Sequence, residues 1–467
     1  MTMNYLRTST MNVVAVILGV MCAEMLLGAN PPQSIYKSRR QQVIAALKPG
    51  SVAIFRSAPV AHRNGDVDYE YRQDSNFYYL TGFDEPESAL LLIKEKRSVP
   101  GVPARVQEVI FLREKNPAME IWTGYRLGVE AAPESLLVDA ALPITGFDAV
   151  IDSLAAEVKI FYVRQSVARD LRALYRDGRK VRGLRIKSPA AILNPMRLHK
   201  DAHELALLQK AIDITAQAHV QVMRAARPGM YEYELEALLE YVFKRMGSER
   251  PGFPSIVGSG PNSCILHYQS NRRKIRPGEM VVIDIGAEYG MYTADITRTI
   301  PIDGRFSPEQ RTIYQLVLAA QDSGIAAAQP GNSFRAPHKA ALRVIVRGMI
   351  GLGFLKGSVE ENIENGTFRD FFMHGTSHYL GMDVHDVGGT PELQPGQVIT
   401  VEPGIYLSAA TCEKLGIPKA YSNIGVRIED DVLITPTGPK LLSGKAPRRV
   451  EDIERLMMEK AVLKNKL

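Results

Sequence analysis

The sequence contains very little cysteine. Three cysteines occur among 467 residues, and Cys22, Cys264 and Cys412 are widely spaced and odd in number. Neither a zinc knuckle nor a disulfide framework follows from that spacing. The usage fits a reducing compartment, and we therefore expect a cytoplasmic protein.

Long apolar runs are also scarce. The main candidate, MNVVAVILGVMCAEMLLGA, follows Arg7 and is interrupted by Glu24, so it is too short for a membrane span. Residues 1–32 are predicted to be an N-terminal extension, a product of a start codon assigned too early, or a signal-like segment with small residues at Gly28–Ala29. The last alternative would place the protein in the periplasm or outside the cell.

Motifs for several function classes are missing. The formal net charge of +6 is mild for this length, and no RNP, zinc-finger or basic-zipper pattern occurs, so we expect no nucleic-acid partner. No G-x-S-x-G elbow is present. The segment HELAL begins like a zinc-protease helix, but Leu207 occupies the position of the second histidine. We interpret Asp201 and Glu204 as a capping box that starts a long helix.

The length of the chain predicts two domains, because 467 residues exceed one ordinary core. Helical and strand patterns alternate in the first part, where SVAIFR, NFYYLTGF, SALLLIK and VQEVIFLR are predicted to be strands. A proline-containing segment at 185–200 precedes the long helix. We therefore expect an α/β domain at residues 33–190 and an α+β domain at residues 195–467.

The second part contains an internal repeat. The segment IRPGEMVVID (275–284) matches LQPGQVITVE (393–402) at an offset of 118 residues. The same offset aligns Asp284 with Glu402 and His267 with His385. Agreement of a Pro-Gly turn, a carboxylate and a histidine predicts a duplicated α+β half.

A hairpin is predicted in VVIDIGAEYGMYTADITRTI (281–300), with its turn centred between Tyr289 and Gly290. In that register Asp284 lies directly opposite Asp295. Facing carboxylates repel each other, so the pair needs a shared proton, a basic neighbour or a cation. The apolar neighbours on both strands favour a cation.

The second half supplies further acids. Glu402 ends the strand VITVE, and IGVRIEDDVLI (424–434) is predicted to be a strand on which Arg427 and Glu429 share one face. Oxygen ligands with few histidines suit Mn²⁺ or Mg²⁺, with Co²⁺ or Zn²⁺ as alternatives. Two adjacent ions can hold a hydroxide and polarise a carbonyl, which is hydrolase chemistry without a protein nucleophile.

Five motifs together resemble a known family. LHYQSN, VVIDIGAEYGMYTADITRTI, HGTSHYLGMDVHDVGG, VITVEPGIYL and SNIGVRIEDDVLIT occur in this order over residues 266–435 and resemble the metal-site motifs of the M24 peptidases. The segment DVDYEYRQDSNFYYLTGFDEPES (66–88) resembles the first domain of the Xaa-Pro aminopeptidases (aminopeptidase P). The resemblance implies a creatinase-type α/β N-terminal domain and an α+β pita-bread domain with an internal pseudo-twofold repeat.

The resemblance also implies roles for individual residues. It assigns five metal ligands: Asp284, Asp295, His378, Glu402 and Glu429. Asp295 and Glu429 would bridge two divalent ions, for which we expect Mn²⁺. It assigns five catalytic residues: His267, His374, His385, Glu402 and Arg427. Glu402 would be a proton shuttle as well as a ligand, and Arg427 would orient the ligands.

The spacing of the histidines in HGTSHYLGMDVHDVGG is therefore misleading. His374 and His378 are four residues apart, as in a helical metal clamp, but Gly375 and Gly381 fit poorly with one regular helix. Only His378 is expected on the metal. His374 and His385 are expected beside it, facing the substrate.

The implied reaction is hydrolysis of the N-terminal Xaa-Pro bond by a hydroxide that bridges two metals. The partners would be peptides with proline in the second position and further copies of the chain in a dimer or tetramer. A prolidase, which cleaves Xaa-Pro dipeptides, shares the metal motifs and is the alternative, although the first-domain motif favours the aminopeptidase. A non-catalytic peptide-binding relative is a further alternative that the intact ligand set opposes.

Overall fold

The computed structural model describes residues 32–164 and 185–459. The chain divides into two compact units, residues 1–196 and 197–467. The expected N-terminal extension lies outside the described residues, apart from Pro32. Of the helices that are described, none combines the length and the apolar character needed to cross a membrane.

The first unit contains a six-stranded mixed sheet with the strand order β6-β5-β4-β1-β7-β8. The strands of this sheet are β1 (Ser51–Arg56), β4 (Ala89–Val99), β5 (Val102–Leu112), β6 (Ala140–Pro143), β7 (Ile160–Tyr162) and β8 (Arg185–Lys187). A separate small hairpin consists of β2 (His62–Asn64) and β3 (Val67–Asp68). Its helices are α1 (Gln33–Ala46), α2 (Ser75–Thr81), α3 (Pro117–Thr123), α4 (Gly128–Leu136), α5 (Phe147–Ala155) and α6 (Ala190–Leu198), whose last two residues belong to the second unit.

Three of the four predicted strands of this unit are confirmed, as β1, β4 and β5. The prediction for NFYYLTGF was wrong, because this segment forms helix α2. The Asp74 side chain accepts hydrogen bonds from the backbone N–H groups of Asn76 and Phe77, and Gly82 ends the helix in the left-handed conformation. These caps, with buried aromatic contacts, outweigh the strand preference of the aromatic residues.

The second unit repeats one order of elements: two long helices and then a set of strands. The first half has α7 (Ala202–Ala225), α8 (Glu232–Arg245), β9 (Arg250–Pro251), β10 (Ile256–Ser259), β11 (Met280–Ile285), β12 (Ala287–Tyr289), β13 (Tyr292–Thr293) and β14 (Ile296–Pro301). The second half has α9 (Pro308–Ala327), α10 (Ala336–Gly351), α11 (Val359–Asn365), β15 (Val398–Val401), β16 (Gly404–Leu407), α12 (Ala409–Leu415), β17 (Ile424–Arg427), β18 (Asp430–Thr435), β19 (Gly438–Leu441) and α13 (Val450–Met458).

The two halves also correspond in detail. β11 pairs antiparallel with β14, and β15 pairs antiparallel with β18. Before β11 and β15, Gly278 and Gly396 have positive φ angles of 79° and 90°, as a tight turn entering each strand requires. The predicted order, an α/β unit followed by an α+β unit with a repeated half, is confirmed.

The predicted register of the hairpin at 281–300 was wrong. Gly290 and Met291 form the two-residue turn, with φ angles of 57° and 70°, and Tyr289 pairs with Tyr292. Asp284 therefore lies opposite Thr297 instead of Asp295. Positive φ at both central residues is typical of a type I′ turn, and a methionine in that conformation is not a pattern that sequence rules favour.

The predicted strand at 424–434 is interrupted. β17 ends at Arg427 and β18 begins at Asp430, so Glu429 lies in the break between them. The Glu429 backbone N–H donates instead to the Thr297 carbonyl oxygen, at 3.1 Å. The break leaves Arg427 and Glu429 on the wall of one cavity, while Asp430 is fully buried against Arg298.

The start of α7 shows the predicted capping box. The Asp201 carboxylate accepts from the backbone N–H groups of His203 and Glu204, and Glu204 accepts from the Asp201 N–H at 3.0 Å. We expect Asp201→Ala to lower the free energy of unfolding of the second unit by about 1 kcal/mol, because two helix N–H groups lose their acceptor. Urea unfolding measures this, with His203→Ala at a neighbouring exposed position as the control. Equal midpoints for the two variants would contradict the capping role.

Candidate metal centre and active site

The predicted site residues are brought together in one cavity of the second unit, with a volume of about 420 Å³. All nine line it: His267, Asp284, Asp295, His374, His378, His385, Glu402, Arg427 and Glu429. The residues come from both halves of the unit. The cavity is therefore a product of the duplication and not of one contiguous segment.

Three side chains form the tightest group. Asp295, His378 and Glu429 offer ligand atoms that all lie within 4.8 Å of one another. His378 Nε2 lies 3.3 Å from Asp295 Oδ2 and 3.7 Å from Glu402 Oε1. A nitrogen and several carboxylate oxygens at such distances suit a divalent cation.

The two aspartates reach this group from one hairpin. Asp284 lies on β11, and Asp295 lies just before β14. Asp295 is two residues from Thr297, the direct partner of Asp284, so the carboxylates are diagonal neighbours on one face. The corrected register thus keeps the predicted proximity although it abolishes the direct pairing.

The second half holds its ligands through backbone contacts. The His378 N–H donates to the Thr400 hydroxyl at 3.1 Å, and the Thr400 N–H donates to the His378 carbonyl at 2.9 Å. The His378 ring donates from Nδ1 to the Tyr379 carbonyl at 3.1 Å, which leaves the Nε2 lone pair facing Asp295 and Glu402. A metal-ligating histidine is commonly oriented in this way.

The glycines of the histidine segment predicted that it is not a regular helix, and this is confirmed. Between His374 and His385 the backbone is irregular apart from an isolated bridge that pairs Tyr379 with Ile399. The His385 ring meets the His378 ring edge to face, with centroids 4.3 Å apart. His374 Nδ1 lies 3.7 Å from Glu402 Oε2.

Arg427 connects the carboxylates. Its guanidinium donates to Asp284 Oδ2 at 2.6 Å and to the Thr297 hydroxyl at 3.2 Å. The Thr297 hydroxyl in turn donates to Glu429 Oε2 at 2.7 Å. Sequence reasoning missed Thr297, although its position two residues after Asp295 on the same strand face was a usable signal.

Tyr406 was also missed, because no local pattern distinguishes it from a core tyrosine. It is 1% exposed, and its oxygen accepts from Arg427 Nη1 at 3.0 Å. Its O–H donates to His374 Nε2 at 2.8 Å, since His374 Nδ1 donates to the Gly375 carbonyl at 2.6 Å. This chain of hydrogen bonds fixes the orientation of the His374 ring.

The carboxylates are short of positive charge. Burial and the neighbouring Asp284 raise the pKa of Asp295 well above its usual value. Burial, Asp295 and Glu402 do the same to the pKa of Glu429. Burial raises the pKa of Glu402 to about 7, with Asp295 adding to the effect and His378 opposing it.

A divalent cation fits this electrostatic deficit. Asp284 Oδ1 is buried and has no hydrogen-bond partner among the described residues, as expected for an oxygen placed to accept a cation. Among the described residues that line the cavity, four carry an acidic side chain and one carries a guanidinium group. The repulsion among these carboxylates is relieved by a bound cation or by protonation. Because the donor atoms are mostly oxygens, they match hard divalent ions.

The surroundings of His374 and His385 favour their neutral form. Burial, with a contribution from Arg427, lowers the pKa of His374 to about 3. Burial and the adjacent His378 lower the pKa of His385. Neutral rings offer one N–H donor and one lone pair each, so they serve as hydrogen-bonding groups.

Comparisons with known proteins show the family to which both units are similar. Residues 206–436 match Metallopeptidase family M24, and residues 36–162 match Aminopeptidase P, N-terminal domain. The Xaa-Pro aminopeptidase of Haemophilus influenzae is 41% identical over 439 residues, which cover 93% of this chain and 99% of that protein.

Solved structures are similar over the same extent. The aminopeptidase of Pseudomonas aeruginosa has a TM-score of 0.85 and 40% identity, covering 92% of this chain and 98% of that chain. A variant of Escherichia coli aminopeptidase P in complex with substrate has a TM-score of 0.85 and 38% identity, covering 92% and 99%. Similarity at this level extends through both units.

Asp295 provides a test of the metal centre. In metal-free protein, Asp295→Asn should leave the thermal midpoint unchanged or raise it, because one buried repelling charge is removed. Wild-type protein should gain about 3 kcal/mol from Mn²⁺ at 100 times its Kd, and the variant should gain far less. Thermal unfolding with chelator and with Mn²⁺ measures both effects. The control is Asp152→Asn on α5, and an equal Mn²⁺ gain in Asp295→Asn would refute the site.

Glu402 predicts the pH dependence of the metal-free protein. Its pKa of about 7 lies above the ordinary value of 4.5, so the folded protein binds more protons than the unfolded chain between these values. Stability should therefore fall as the pH rises from about 4.5 to about 7. Unfolding midpoints of chelator-treated protein measure the slope, which Glu402→Gln should reduce. A slope that is identical in the variant would contradict the assignment.

Proposed function

The chain belongs to metallopeptidase family M24, and we propose that it is an Xaa-Pro aminopeptidase, which removes the first residue from peptides with proline in the second position. The observation that carries the proposal is the single cavity in which Asp295, His378 and Glu429 bring ligand atoms within 4.8 Å of one another. The names of the similar proteins, and the match of residues 36–162 to the aminopeptidase P N-terminal domain, support this activity.

The division of labour within the chain follows the two units. Residues 33–190 would form the N-terminal domain, and residues 195–467 would form the catalytic domain. The compact units meet at residues 196–197, and the family matches at 36–162 and 206–436 fall on either side.

The family takes divalent metal ions, and the proposed site holds two, with Mn²⁺ as the native metal. The ligands would be Asp284, Asp295, His378, Glu402 and Glu429. When bound, the ions polarise the peptide carbonyl and lower the pKa of a water molecule so that it is nucleophilic near neutral pH. Four carboxylates neutralise the charge of two divalent ions, which supports the count.

The side chains around the carboxylates would handle protons and charge. Glu402 lies 3.7 Å from both His374 and His378, and its carboxylate would take up and release the proton of the attacking water. Neutral His374 and His385 would offer hydrogen bonds where the carbonyl oxygen gains charge. Arg427 would hold Asp284 in place through its 2.6 Å contact.

Recognition of proline has to rely on shape. The nitrogen of the bond before proline carries no hydrogen, so the enzyme cannot select it through a donor. Four apolar side chains line the cavity and would contact the ring: Phe253, Ile256, Leu266 and Val384. His267 lines the same cavity and would contact the substrate.

We further propose a homo-oligomer in a reducing compartment. On and just after α3, Ile121, Trp122 and Tyr125 are 83%, 82% and 95% exposed. Large apolar side chains grouped in this way mark an interaction surface, and a second copy of the chain is the proposed partner. Cys264 and Cys412 are free thiols, which fits the cytoplasm.

Peptides of graded length test the function. Chelator-treated protein should be inactive, and Mn²⁺ should restore cleavage of Xaa-Pro tripeptides and longer peptides but not of matched Xaa-Ala peptides. Glu402→Gln should lower kcat by about 10²–10⁴-fold, because proton transfer is lost. The ratio of kcat/KM for tripeptide and dipeptide is the deciding measurement. A strong preference for the dipeptide would indicate a prolidase, and activity that survives metal removal would refute the mechanism.

A further inference from the structure

His338 lies behind the active site and was not predicted to have any role. It is on α10, near the start of the second half of the unit, and its side chain is partly buried. A hydrogen bond of 2.9 Å joins its Nδ1 to the hydroxyl oxygen of Thr376. His338 does not line the cavity, so any effect on the reaction has to pass through Thr376 or another neighbour.

Thr376 occupies the middle of the histidine segment. It is fully buried, whereas Gly375 and Ser377 on either side line the cavity. Its carbonyl oxygen accepts the backbone N–H of Glu402 at 2.8 Å. Thr376 therefore connects the segment that carries His374 and His378 to the strand end that carries Glu402.

A second contact links His338 to the same segment. Its ring packs against Phe372 with centroids 5.5 Å apart, and Phe372 meets His374 edge to face at 4.9 Å. His338 thus contacts the histidine segment directly at Thr376 and reaches His374 through Phe372. One contact is a hydrogen bond to Thr376 and the other is aromatic packing.

We propose that His338 is a positioning residue, which sets the placement of His378 and Glu402 through its hydrogen bond to Thr376; for its effect on turnover, this inference rests on the proposed function. The irregular segment has no helix or strand at Thr376, whose backbone is held by the 2.8 Å bond from the Glu402 N–H to its carbonyl. His338, a side chain from a packed helix, restrains the Thr376 side chain as well. Residues that do not touch the metal can orient its ligands through hydrogen bonds.

The two contacts of His338 can be separated by substitution. His338→Phe keeps a ring against Phe372 and removes the hydrogen bond. His338→Asn removes the ring but places an amide atom the same number of bonds from the backbone as Nδ1. A positioning role through Thr376 predicts that the asparagine variant is close to wild type and the phenylalanine variant is impaired. A role in packing alone predicts the reverse order.

Steady-state kinetics on a Xaa-Pro tripeptide provide the first readout. We expect His338→Phe to lower kcat by about threefold to tenfold, the loss expected for one hydrogen bond, with little change in KM. His338→Asn should retain nearly full kcat. Thermal midpoints confirm that the variants are folded, and His203→Phe at an exposed site is the matched control. Equal kcat for His338→Phe and wild type would overturn the proposal.

Binding of Co²⁺ provides a readout that does not depend on turnover. The absorption bands of bound Co²⁺ report the arrangement of its ligands, and a titration gives its affinity. We expect His338→Phe to weaken Co²⁺ binding by about tenfold and to change the bands, and His338→Asn to do neither. If wild type binds Co²⁺ but cleaves no Xaa-Pro peptide, the proposed function fails while this comparison still stands. Identical spectra and affinities in all three proteins would overturn the positioning role.

A double-variant comparison closes the test. Thr376→Val removes the hydroxyl at nearly constant volume. If His338 acts through that hydroxyl, His338→Phe combined with Thr376→Val should lose no more Co²⁺ affinity than the larger single loss. Additive losses would show that the two residues act separately and would overturn the proposal.

Discussion

The crowding of four carboxylates in one buried cavity is the constraint on which the site depends. Among the described residues that line it, Arg427 is the only guanidinium, and it pairs directly with Asp284. Burial raises the pKa of Asp295 and of Glu429 well above their usual values, so the ionised site is unstable without added positive charge. A divalent cation would remove this instability, and the fold already holds the acids close enough together to bind one.

Duplication of a helix-and-strand half explains how such crowding is reached. Each half contributes two acids. Asp284 lies on β11 and Asp295 just before β14, while Glu402 lies just after β15 and Glu429 just before β18. The halves are joined where the acids meet. The fully buried pair Arg298–Asp430, at 2.6 Å, links β14 to β18 just behind the cavity. Breaking a buried pair leaves an uncompensated charge, so this contact resists separation of the halves.

The site residues could be predicted from the sequence because the error in the predicted hairpin register did not change which side chains share a face of the sheet. Moving the hairpin turn by one residue shifts the pairing of Asp284 by two positions, to Thr297, and a shift of two keeps every side chain on its own side of the sheet. Local patterns failed where contacts distant in sequence decide. Thr297, Tyr406 and His338 are ordinary in their own segments, and only the folded chain places them against Glu429, His374 and Thr376.

The histidine segment shows why distant contacts matter most at the reacting centre. From His374 to His385 the chain has no helix, and an isolated bridge at Tyr379 is its only regular pairing. Its geometry comes from groups on packed elements: Thr400 on β15 fixes His378, and Tyr406 on β16 fixes His374. An irregular segment can present side chains that a regular helix could not bring together, but it needs such external restraints. The precision of the centre therefore belongs to the core of the second half, and substitutions outside the cavity can alter its chemistry.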